Sequence, residues 1–70
     1  MGGKYEDGLD VDREKLKHAF KRRGTTMDAV SAENFFSKNW MGVMARRGHL
    51  SKAGVAVLEK YGIEREEVAK

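Results

Sequence analysis

Ser37-Lys38-Asn39-Trp40-Met41-Gly42-Val43-Met44-Ala45-Arg46-Arg47, inside the longer stretch from Thr26 to Arg47, decides how this chain folds. Read as a helix capped by Ser37, the segment divides into two faces. Trp40, Met41, Met44 and Ala45 recur at the three-to-four-residue spacing of a buried stripe. Lys38, Asn39, Gly42, Val43 and Arg46 fall on the other side. An ordinary solvated face is filled with Glu, Lys and Gln, which are good helix formers. This one has no carboxylate, and it carries a glycine and an asparagine. Such a face is suited to lie against a polyanion, so the segment reads as a DNA recognition helix.

Charge placement agrees. The chain has 70 residues and a formal net charge of +3. Residues 1–12 hold one lysine and four carboxylates, a balance of −3. Residues 13–52 hold ten cations and three carboxylates, +7, and residues 53–70 hold three cations and four carboxylates, −1. The positive charge is therefore concentrated around the proposed recognition helix. A soluble helical domain with many surface lysines is the plainer reading of the same numbers.

A chain this short forms one small domain, burying only about 60% of its unfolded surface. The absence of cysteine excludes disulfides and thiolate zinc sites. His18 and His49 have no carboxylate cluster at ligand spacing, so no metal and no cofactor is expected. No apolar run approaches a membrane span and no secretory signal is present, so the expected location is cytoplasmic, with no membrane partner. The opening Met-Gly-Gly has Glu6 where a myristoylation signal needs Ser or Thr.

Residues 1–10, glycine-rich and charged, are expected to form a disordered tail before a domain at 11–70. Helix starts then repeat one pattern, an apolar residue, a cap and a second apolar residue that staples back to the first. Val11-Asp12 with Leu16, Phe36-Ser37 with Met41, and Leu50-Ser51 with Val55 follow it. Ile63-Glu64 with Val68 is a weaker case because Glu caps poorly. Thr25-Thr26 with Val30 supplies a cap and only a methyl for the staple. Gly24, Gly48 and Gly62 stand where helix ends need a left-handed residue. Helices are expected at about 13–23, 27–34, 38–47 and 52–61, with a short fifth from Arg65 that frays at the C-terminus. Without proline, hairpin turns or period-two alternation, no strand is expected. The fold class is all-α, a compact bundle of four to five short helices containing a helix-turn-helix. Its turn is Asn34-Phe35-Phe36-Ser37, and the small Ser31 marks where the next helix approaches closely.

Several stretches carry a resemblance to a known family. They are Leu16-Lys17, Lys21-Arg22-Arg23-Gly24-Thr25-Thr26, Val30-Ser31, Ser37-Lys38-Asn39-Trp40-Met41, Arg47-Gly48-His49-Leu50-Ser51-Lys52 and Leu58-Glu59-Lys60-Tyr61-Gly62-Ile63. In order and spacing, over about residues 13–68, they resemble the lambda-repressor-like (Cro and phage-repressor) helix-turn-helix domain. The likeness is strongest to small regulators of Gram-positive bacteria and their phages and plasmids. The resemblance implies a five-helix domain that binds operator DNA, usually as a homodimer, and represses or switches transcription. Two departures stand out. The family usually has glycine in the turn, where this chain has Asn34 and Phe35, and Asn adopts the left-handed conformation readily. It commonly has Gln or Glu at the start of helix two, where this chain has Met27.

Lys38, Asn39, Gly42 and Val43 are the candidates for base readout. Asn can pair bidentately with adenine, Lys can reach guanine, and an aliphatic side chain can touch a thymine methyl. Each also has a plainer role, as solvated polar residues or, for Val43, the edge of the core. Gly42 is explained by close approach of DNA, by tight helix packing, or by drift. Thr26, Ser37, Arg46, Arg47, Ser51 and Lys52 are the candidates for phosphate contact. Thr26 is a cap first, and Arg46 and Arg47, like Lys21, Arg22 and Arg23, also complement a helix dipole. Trp40, Phe35 and Phe36 read as core. No nucleophile–base pair, carboxylate dyad or phosphate-cradling loop is present, so neither an enzyme nor a small-molecule substrate is expected. Sequence-specific binding to double-stranded DNA is the leading function. The alternative is a protein-interaction module on the same scaffold.

Overall fold

The computed structural model describes residues 8–34 and 37–70. In chain order the elements are β1 (Leu9–Asp10), α1 (Arg13–Arg22), α2 (Met27–Glu33), α3 (Trp40–Arg47), β2 (His49–Leu50), α4 (Lys52–Lys60) and α5 (Arg65–Val68). The fold is mostly helical with a small two-stranded sheet.

Three helix starts follow the local chemistry of their caps. The Asp12 carboxylate accepts the Glu14 and Lys15 amides at 2.9 and 3.1 Å. Thr26 Oγ1 accepts from Ala29 at 3.1 Å and Ser51 Oγ from Gly54 at 3.4 Å. Each satisfies a donor that the helix itself cannot. Glu64 makes no such bond at the start of α5. Gly24, Gly48 and Gly62 have φ of 75°, 80° and 69°, the left-handed geometry expected at these stops.

The core draws on every element. Leu16 and Phe20 of α1, Val30 of α2, Met41 and Met44 of α3, Val55 and Leu58 of α4, and Val68 of α5 are buried. Trp40 and Tyr61 are half-buried against it. The Tyr61 ring meets Phe20 edge-on at 5.9 Å.

Five expectations are corrected. There is a sheet. Leu9 pairs with Leu50 and Asp10 with His49, antiparallel, and two residues per strand are too few to show alternation. Leu9 and Asp10, expected in the disordered tail, belong to the fold. Leu9 is only 6% exposed, and a side chain on Gly8 would overlap the Leu50 carbonyl. Residues 1–7 lie outside the described residues.

α5 does not fray. Ala69 bridges Val11, and the Asp12 amide donates to the Val68 carbonyl at 2.8 Å. Asn34 is not left-handed, having φ −102°. Its carboxamide donates to the Val30 carbonyl at 2.8 Å and accepts from Lys60 Nζ at 2.7 Å.

Finally, α3 begins at Trp40 and Ser37 does not cap it by its side chain. The Ser37 carbonyl accepts the Trp40 amide at 3.0 Å. The next amide, of Met41, donates to Ser31 Oγ at 3.0 Å. The link between α2 and α3 thus runs over residues 34–39. Phe35 and Phe36, expected in the core and in a staple, lie outside the described residues.

Candidate nucleic-acid interface

α3 packs on α2 and β2. An α-helix advances roughly 100° per residue. Met41, Met44 and Ala45 therefore share the side that faces the core, and all three are buried. Gly42, Val43 and Arg46 fall on the opposite side, with Arg47 at its flank. Gly42 and Val43 are half-buried and both arginines are exposed.

Lys38 and Asn39 are exposed as well, but in the turn that leads into α3 rather than in its first turn. They remain at the same end of the helix. Asn39 is the N-cap residue, yet its side chain makes no capping bond. Among the described residues its oxygen meets only the Ser37 hydroxyl, at 3.5 Å, so the carboxamide is not consumed by the helix it precedes.

Cations divide into two groups. Arg22 at the end of α1, Arg23 just beyond it and Lys60 at the end of α4 are engaged inside the molecule. Arg22 and Arg23 reach Glu67 at 2.8 and 3.0 Å. Arg23 also donates to the carbonyls of Tyr61, Ala19 and Gly62, and Lys60 is held by Asn34. The Glu67 carboxyl is lowered below its ordinary value, first by the Arg23 hydrogen bond and then by that of Arg22. By contrast, Lys38, Arg46, Arg47 and Lys52 form no ion pair or side-chain hydrogen bond among the described residues. The outward face of α3 and the two turns that flank it are thus left with uncompensated positive charge.

The other predicted residues are placed less simply. The Ser51 hydroxyl accepts from Gly54 and donates to Met44 Sδ, both at 3.4 Å, so Lys52 carries the outward chemistry at the start of α4. Thr26 stands apart, at the start of α2, with its oxygen given to Ala29. Beside it is a depression of about 380 Å³ lined by Lys17, Lys21, Thr25, Thr26, Met27 and Asp28. Lys17 and Lys21 were not among the sequence candidates. Their four-residue spacing on α1 was the available signal, and it reads equally as solvated helix surface.

No family model, curated protein or solved structure matches this chain.

Among the described residues no group of His, Asp and Glu could hold a metal ion, and no helix is long and apolar enough to cross a membrane. A carboxylate-free helix face with free cations at both ends attracts a polyanion. The half-buried Val43 and the side-chain-free Gly42 between them leave room for a surface to come close. Gly42 costs the helix about 1 kcal/mol relative to alanine.

Proposed function

We propose that the chain is a sequence-specific regulator that binds double-stranded DNA, with α2, its following turn and α3 acting as a helix-turn-helix. α3 and its lead-in turn enter the major groove. Lys38, Asn39, Gly42 and Val43 meet base edges. Arg46, Arg47 and Lys52 neutralise phosphates, with Thr26, Ser37 and Ser51 at the margins. The observation that carries the reading is the contrast in charge. Arg22 and Arg23 are spent on Glu67, while Lys38, Arg46, Arg47 and Lys52, at the two ends of α3, are exposed and form no ion pair among the described residues.

In this reading the protein works in the cytoplasm as a repressor or switch, on a phage, plasmid or chromosomal operator. It binds there as a homodimer, through a compact surface near α4 and α5 or one formed only on DNA. Selection from a random duplex library, followed by footprinting, tests it. The expected product is a palindromic site whose half-sites lie about one helical turn, or a multiple of it, apart. Failure to enrich any duplex overturns DNA binding and favours a protein-interaction module on the same scaffold.

A further inference from the structure

Among the described residues, each glycine has an internal reason, with one exception. Gly8, Gly24, Gly48 and Gly62 adopt positive φ, which side chains resist. Gly54 has none of that freedom to exploit, but a Cβ there would press on Leu50 Cβ and Met44 Cε, both at 3.1 Å. Gly42 shows neither feature. It sits inside α3 with helical backbone, and a Cβ added to it would meet no described residue within 4 Å. Tight packing of α3 on another helix therefore does not explain it. The fold would accept alanine here and gain from it, because alanine is the best helix former. No described residue fills the space beside Gly42, which leaves it open to an occupant from outside the chain.

The neighbourhood indicates what that occupant is like. Gly42 lies on the outward side of α3 beside Val43, an aliphatic that is only half-buried. One turn later Arg46 brings an exposed cation, and Lys38 and Asn39 stand at the helix start. A small apolar knob on an otherwise anionic surface fits this setting. In duplex DNA that knob is the 5-methyl group of thymine, the one apolar feature of the major-groove floor.

We propose that Gly42 and Val43 together seat a thymine 5-methyl, with the missing side chain of Gly42 providing the space, so that residue 42 sets specificity at one base pair. The proposal rests on the DNA-binding reading above. Lys38 and Asn39 then read the base pairs to one side of that thymine, and Arg46 grips the phosphate beyond it. A methyl on residue 42 would collide with the methyl of the base. Enlarging the residue and trimming the base are therefore compensating changes, which a purely structural glycine would not produce.

The test uses the duplex recovered by selection, copies of it with uracil replacing each thymine in turn, and the full-length chain with Gly42 or with Gly42→Ala. The parent chain is expected to lose about three- to fivefold in affinity at one uracil position, the worth of one buried methyl. Gly42→Ala is expected to melt about 4 °C or more above the parent. It should bind the thymine duplex at least tenfold more weakly and recover most of that loss on the uracil duplex. A variant that melts lower than the parent overturns the proposal. So does one that binds the thymine duplex unchanged, or one whose loss uracil does not relieve at any position. If the parent chain enriches no duplex at all, the DNA-binding reading fails first and this one with it. If the parent binds and the swap shows no compensation, only this inference fails.

Discussion

Ser31 Oγ accepts the backbone N–H of Met41 at 3.0 Å while donating its own proton to the Met27 carbonyl at 2.8 Å. A buried hydroxyl in the middle of α2 thus does for α3 what a cap residue does for its own helix. It also fixes where α3 starts, and with it the positions of Lys38, Asn39 and Gly42.

Ser31→Ala would leave the Met41 amide buried and without an acceptor. A loss of this kind costs about 1–3 kcal/mol. Ser37→Ala removes a hydroxyl whose one hydrogen bond among the described residues is to Asn39 at 3.5 Å, so its effect should stay within about 0.5 kcal/mol. Thermal unfolding of the two variants checks the order. Equal losses, or a larger loss at Ser37, would restore Ser37 as the cap of α3.

Leu9 gives the second prediction. A tail residue tolerates truncation silently, but Leu9 is buried and its backbone pairs with Leu50. Leu9→Ala should cost about 2–3 kcal/mol, read as a lowered midpoint in urea. A variant with an unchanged midpoint would return the first ten residues to the status of a tail.

Acid should loosen α5 from α1. Glu67 is held below its ordinary pKa of 4.5 by Arg23 and Arg22. A group whose folded pKa is lowered adds stability above the unfolded value. That contribution is lost as pH falls from about 4.5 through the folded value. Glu67→Gln should therefore be less stable than the parent at pH 7, with the gap closing below pH 4.5. Chemical denaturation at a series of pH values measures this. The ion pairs are exposed to water, so the effect is a modest one. A gap independent of pH would mean that Glu67 holds α5 by shape rather than by charge.

Much of this fold was legible along the chain because caps and stops are local. Asp12, Thr26 and Ser51 act on amides two or three residues away, and Gly24, Gly48 and Gly62 each bend only their own backbone. What was not legible comes from distant partners. Ser31 displaces Ser37 as the donor-satisfying hydroxyl of α3 from ten residues upstream. Glu67 captures Arg22 and Arg23 across 45 and 44 residues. Asp10 meets His49 across a ribbon too short to leave a periodic trace.

The candidate interface follows the same division. The outward positions of Gly42, Val43 and Arg46 follow from helical spacing alone. Which arginines are neutralised depends on how α5 docks on α1, and spacing says nothing about that.

The most direct measurement is the salt dependence of binding to a duplex, compared across three proteins. For the parent chain, four uncompensated cations at the interface predict log affinity falling with log salt at a slope of about −3 to −4. Changing Arg46 and Arg47 together to Gln should flatten the slope by about two. Arg22→Gln, which removes a cation already committed to Glu67, should leave it unchanged. If the parent shows no slope, or if Arg22→Gln flattens it as much as the α3 pair does, the outward face of α3 is not a DNA-binding surface.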